Sequence, residues 1–194
     1  MNVKLDGITL HVNPDENPPN PRTDYDNLGT LLAWNRRYNF SDKSDYPTSE
    51  DFYESEEAKN IYVSLPVYMY EHSGVCLSTS PFFTGVKSDP AYGKLGVIYC
   101  TEEQVKKWYG CLPDKNTIET QLNSEIETYN DYLNGSWYEF VIEGLNGEIE
   151  DSCGGFFQNE GFKELLDNMK EYVSDDYAPL FDKLARQQEY RACM

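Results

Sequence analysis

The chain has 194 residues, with 34 Asp and Glu against 16 Lys and Arg, for a formal net charge of −18. A surface this acidic repels nucleic acid and anionic membrane, and it attracts basic protein surfaces or cations. The acids run through segments rich in Tyr, Phe and Trp, so the charge belongs to a folded body and not to a disordered tail; the length fits a single domain over 1–194.

Residues 2–12 alternate, with Val3, Leu5, Ile8, Leu10 and Val12 placed around Asp6-Gly7, and this predicts a hairpin. Pro14, Pro18, Pro19 and Pro21 exclude regular structure and make 13–22 an ordered loop or a hinge. Asp26-Asn27 ahead of Leu31, Leu32, Trp34 and Tyr38 predicts an N-capped helix over about 28–39. Thr48 or Ser49 is placed to cap a short helix in the acidic stretch 41–60. Residues 61–70 and 75–80 read as paired strands around a turn at Glu71-His72-Ser73-Gly74, and 81–93 as loop. A strand at 94–100 leads into Thr101-Glu102-Glu103-Gln104, a capping box for a helix that ends at Gly110.

Ile118, Leu122, Ile126, Tyr129 and Leu133 form one apolar stripe and predict a helix over about 117–134. A second hairpin joins 136–143 to 148–153 through Gly144-Leu145-Asn146-Gly147. A pair of amphipathic helices over about 160–190 finishes the chain. Strands grouped in hairpins, with helices between the groups, predict an α+β fold with a mainly antiparallel sheet, flanking helices and a helical C-terminus.

Two acidic clusters are candidates for partner binding. If 144–147 is the loop, Glu143 faces Glu148 and Val141 faces Glu150. Glu139, Glu143, Glu148 and Glu150 then share one face, opposite Tyr138, Phe140, Ile142 and Ile149. Like charges directly opposite cost stability. Such a face is either fully solvated or meets a basic partner or a cation. A basic protein surface is favoured over calcium, because no Asp-x-Asp-x-Asp-Gly loop is present. The second cluster is the 41–60 stretch, with Asp51, Glu54, Glu56 and Glu57.

Other chemistry has less support. Five cysteines form no CxxC pair and leave one over, which argues against a disulfide framework and a Cys zinc site. His72 near Cys76, or Cys153 on a glycine-rich bend, would be the elements of a Cys-dependent enzyme. A buried small hydrophobe for the Cys and a single hydrogen bond for the turn His are the ordinary roles of such residues, and they are favoured over catalysis. Asn27, Arg36 and Arg37 beside the expected helix N-terminus, with His72 and Cys153, make up an alternative phosphate-binding pocket for a nucleotide signal. No P-loop, GxGxxG or basic stripe is present. No catalytic residue, metal or cofactor is assigned. The N-terminus lacks an apolar signal core and no run is long enough to span a bilayer, which predicts a reduced, cytoplasmic protein.

Several segments together resemble a widespread family of small bacteriophage and mobile-element proteins whose function is uncharacterised. They are Asp26-Asn27-Leu28-Gly29-Thr30 with Arg37-Tyr38, Leu65-Pro66-Val67-Tyr68-Met69-Tyr70 with His72-Ser73-Gly74, Gly96-Val97-Ile98-Tyr99, residues 125–133, and Asp151-Ser152-Cys153-Gly154-Gly155-Phe156. The resemblance covers about 20–157. The family pattern often has a His before the Arg-Tyr pair and a Trp-Asp pair before the Gly-x-Ile-Tyr strand. This chain has Asn35 and the Tyr92-Gly93-Lys94 region instead. The resemblance implies no catalytic residues. Its context implies an anti-defence protein: a non-enzymatic inhibitor, acting in the host cytoplasm, that mimics nucleic acid toward a basic surface on a restriction or CRISPR-type defence protein.

Overall fold

Two four-stranded antiparallel sheets organise the chain, an α+β architecture. The computed structural model describes residues 1–72, 74–81, 91–158 and 161–192. Most of the expected 81–93 loop, Ser73 of the expected turn, Glu160 and Cys193 lie outside the described residues.

In chain order the first elements are β1 (Asn2–Leu5), β2 (Ile8–Pro14), β3 (Thr30–Ala33), α1 (Ser49–Tyr53), α2 (Glu56–Lys59), β4 (Ile61–Glu71) and β5 (Val75–Ser78). There follow β6 (Tyr92–Thr101), α3 (Glu102–Tyr109), α4 (Lys115–Leu133), β7 (Trp137–Glu143), β8 (Ile149–Phe157), α5 (Phe162–Lys170) and α6 (Ala178–Ala192). The sequence reads as one domain. The fold divides into two compact units, each with its own sheet and core: 1–19 with 135–194, and the inserted 20–134. The first boundary falls in the expected proline-rich segment.

The first unit has strand order β1-β2-β7-β8. Asp6 and Gly7 both take positive φ (50° and 91°), as the two-residue β1–β2 turn requires. Leu10, Val12, Phe140 and Ile142 are fully buried on the sheet. They pack with Leu165, Leu166 and Met169 of α5 and Leu180, Phe181 and Leu184 of α6.

The second unit has strand order β3-β6-β4-β5. The α4 stripe of Ile118, Leu122, Ile126 and Tyr129 is buried in its main core with Leu31, Val67 and Ile98. Thr101 and Gln104 form the expected capping box on α3, and Gly110 closes it at φ 71°. The helix expected over 28–39 is not there. Its Leu-Leu pair lies on β3, where Leu31 joins the α4-side core while Leu32 packs with Phe52, Val97 and Tyr99. A short strand buried on both faces gives the continuous apolar run that mimics a buried helix. Gly96 faces Ala33 across the ladder, and a Cβ there would lie 1.9 Å from the Leu32 carbonyl oxygen.

Candidate binding site at the acidic hairpin

The β7–β8 hairpin exists, but its register differs from the sequence reading. Glu143 pairs with Ile149, Ile142 with Asp151 and Val141 with Ser152. Glu143 therefore does not face Glu148, and Val141 does not face Glu150. Two irregularities cause the difference. Glu150 is an extra residue between two ladder pairs, and Gly154 and Gly155 together oppose Glu139. The bulge at Glu150 turns Ile149 outward, to 68% exposure, instead of placing it with Phe140 and Ile142 in the core.

Three of the four carboxylates have donors of their own. Glu143 accepts from His11 Nε2 at 3.1 Å, on the neighbouring strand β2. Glu148 accepts from the Asn146 amide at 3.0 Å and steadies the turn. Glu150 accepts from the Tyr177 hydroxyl just ahead of α6. That bond, with the neighbouring acids, raises the Tyr177 hydroxyl pKa. Glu139 instead lines an open cleft of about 660 Å³ with Asp15 and Glu16. In that cleft the Asp15 carboxylate accepts from the Gly155 amide at 2.8 Å and fixes the glycine bulge.

The tip combines charge with apolar surface. A Cβ built on Gly144 would lie 2.4 Å from a Glu150 carboxylate oxygen and 2.7 Å from one of Glu148, so both carboxylates crowd over this glycine. Beside them Leu145 is 75% exposed, although it covers Gly7 of the β1–β2 turn. The hairpin thus carries two exposed aliphatic side chains, Leu145 in the turn and Ile149 paired with Glu143, along the same stretch as Glu148 and Glu150. A surface of this composition suits a partner that is basic and partly apolar.

The second acidic cluster is divided in its roles. Asp51 serves the Thr48 capping box of α1, and Glu56 pairs with Lys59 at 2.5 Å. Glu54 is exposed. Glu57 turns inward and accepts from Lys43 (2.6 Å), Tyr46 (2.7 Å) and Tyr99 (2.7 Å). Burial opposes its ionisation, but these hydrogen bonds outweigh burial and hold its pKa below the usual range.

The alternative phosphate pocket lacks the helix N-terminus expected of it. With β3 in place of the helix, no helix N-terminus exists at Asn27–Leu28. The amides of Leu28 and Gly29 already bind an internal anion, the Glu125 carboxylate, at 2.9 and 3.1 Å. Asn27 donates to the Pro21 and Tyr25 carbonyls and accepts from Arg22. Arg22 ties the set together, bonding Asp42, Glu125 at 3.1 Å and the Gly29 carbonyl at 2.8 Å. Sequence reasoning missed this arginine, because a lone Arg in a proline-rich loop carries no local signal. Arg37 bonds Glu71 at 2.5 Å, and Tyr38 shares that carboxylate. Arg36 is exposed beside an open cleft lined by Trp34 and Lys43.

The Cys and His candidates divide between the two units. His72 stacks on Tyr70, which pairs with Cys76 across the β4–β5 ladder. Cys153 belongs to the other unit. Cys100 is buried, and burial pushes its thiol up to about 11. Among the described residues, no group of three or more His, Cys, Asp and Glu side chains is arranged to hold a metal ion, and no helix is long and apolar enough to cross a membrane.

Compared with protein-family models, curated proteins and solved structures, the chain matches none of them.

Proposed function

We propose that this chain is a binding protein whose acidic hairpin docks on a basic surface of a host defence protein, in the place of a phosphate backbone. The observation that carries the reading is the tip itself. Leu145 and Ile149 stand 75% and 68% exposed among Glu143, Glu148 and Glu150. A solvated face needs no such apolar side chains, whereas a docking surface uses them as its dry centre with charge at the rim. Net charge supports it, since the unit that bears the hairpin holds 16 acids against 6 Lys and Arg. The resemblance to bacteriophage and mobile-element proteins supports a defence protein of the restriction or CRISPR type as the target.

The test is retention of host proteins on the immobilised chain at low salt, with the double variant E148K/I149K beside it. A defence protein that elutes as salt rises, and that the variant does not retain, supports the reading. Equal retention by the variant, if it melts like the parent chain, overturns it.

A further inference from the structure

Among the described residues, side chains occupy amides and carbonyls on two of the four sheet edges, β3 and β5, and touch a third, β1, at one carbonyl. On β3, Asp42 accepts from the Leu31 amide at 2.6 Å and its own amide donates to the Leu31 carbonyl at 2.9 Å. Ser41 does the same for Ala33, accepting from its amide at 2.8 Å and donating to its carbonyl at 2.9 Å. On β5, Asn130 accepts from the Leu77 amide at 2.7 Å and Asn134 donates to the Val75 carbonyl at 3.2 Å. On β1, Lys183 donates to the Lys4 carbonyl at 2.7 Å. These are ways of occupying backbone groups that would otherwise recruit a foreign strand.

The fourth edge is β8. Among the described residues, side-chain bonds to its backbone are confined to the glycine bulge, from Asp15 to the Gly155 amide and from Cys153 to the Gly154 carbonyl. Residues 149–152 carry none. That stretch contains Glu150 and Asp151, follows Glu148, and lies in a segment, 139–158, with five acids and neither Lys nor Arg.

We infer that β8 accepts an added strand over residues 149–153 from an extended, basic segment of the partner; this rests on the docking reading above and gives it a mode. Main-chain hydrogen bonds would supply affinity along the edge. Lys or Arg at alternate positions would meet Glu148, Glu150 and Asp151, with an apolar residue against Ile149. Charge selects this occupant over a second copy of the chain. Two β8 strands paired with each other would bring their own Glu150 and Asp151 carboxylates together, and like charges across a ladder are destabilising.

The probe is the peptide Lys-Val-Lys-Val-Lys-Val, compared with an analogue N-methylated at alternate residues and one N-methylated throughout. All three have the same charge. Alternate methylation leaves one hydrogen-bonding edge, and full methylation leaves none. The expected result is binding of the first two, at least tenfold weaker binding of the third, and slowed amide exchange at 149–153 in the complex. Equal binding of all three, no binding of the parent peptide, or protection elsewhere overturns strand addition. So does protection at 149–153 that rises with protein concentration alone, which would mark self-pairing. Equal binding that E148K/I149K abolishes would sink strand addition and leave charge-driven docking standing. Binding indifferent both to salt and to E148K/I149K would sink the docking reading itself.

Discussion

The Glu125 carboxylate, on α4, accepts from the Leu28 amide across 97 positions of chain, at 2.9 Å. It also accepts from Gly29 and from Arg22, which is buried to 4% side-chain exposure and bonds Asp42 as well. The 26–30 segment is thus held by an internal anion at the amides that a phosphate would otherwise use. Its function-like sequence, Asp26-Asn27-Leu28-Gly29-Thr30, has a structural explanation.

Removing that anion should be costly. Glu125→Ala leaves two buried amides unpaired and Arg22 short of a partner, and breaking a buried ionic set in this way costs about 3–5 kcal/mol. Glu125→Gln keeps an acceptor and should lose less. Urea unfolding checks both. A loss under about 1 kcal/mol for the alanine variant, the level of an exposed pair, would show that the network does not hold the segment.

Gly96 gives a cleaner steric prediction. A Cβ at this position would sit 1.9 Å from the Leu32 carbonyl oxygen, on backbone that cannot move without breaking the β3–β6 ladder. Gly96→Ala should reach or exceed the upper end of the usual overpacking cost, about 3 kcal/mol. Gly93→Ala, on the same strand with nothing within 4 Å, should stay within about 0.5 kcal/mol. Comparable melting temperatures for the two variants would refute the close approach.

The residues that sequence reasoning placed well are those governed by neighbours in the chain. Asp6-Gly7 sets its own turn, Thr101 and Gln104 cap their own helix, and the Ile118 to Leu133 stripe needs only helical spacing. The misplaced ones depend on distant partners. Leu31 and Leu32 form a strand because the two faces of one sheet are both covered. The hairpin register shifts at two bulges, where Tyr177 bonds Glu150 and Asp15 bonds Gly155, and no local pattern contains those partners. The four glutamates were legible as a cluster, whereas the exposure of Leu145 and Ile149 among them was not.

Alkaline stability should follow two buried phenols. Burial, then the hydrogen bond to Glu57, raises the Tyr99 hydroxyl above its ordinary range, and burial pushes Tyr129 up to about 12. Above about pH 10 the unfolded chain releases these protons while the folded chain keeps them. Their contribution is therefore complete below about pH 10 and is lost as pH rises through the folded values. Glu57 works in the opposite direction. Its pKa is lowered, so its contribution is present above the ordinary carboxylate range and is lost in acid. Melting followed from pH 8 to 12 should fall for the parent chain and flatten for Tyr129→Phe. An unchanged slope in that variant would exclude Tyr129 as a source.

Salt should move stability and association in opposite directions. The hairpin-bearing unit has a surplus of ten acids, and within it few cations are placed to offset them. Self-repulsion of this kind opposes the compact state at low ionic strength. The Debye length falls from about 10 Å at 0.1 M to about 3 Å at 1 M, so moderate salt should raise the melting temperature. The same screening removes the attraction that steers a basic partner to the tip, and the loss should appear mainly in the on-rate. Contacts that depend on Leu145 and Ile149 are apolar and are not screened, so the off-rate should change less. Stopped-flow association with the retained partner, measured beside melting in the same buffers, separates these effects. An on-rate that stays flat while the melting temperature climbs would show that the surplus charge burdens the fold without guiding the encounter.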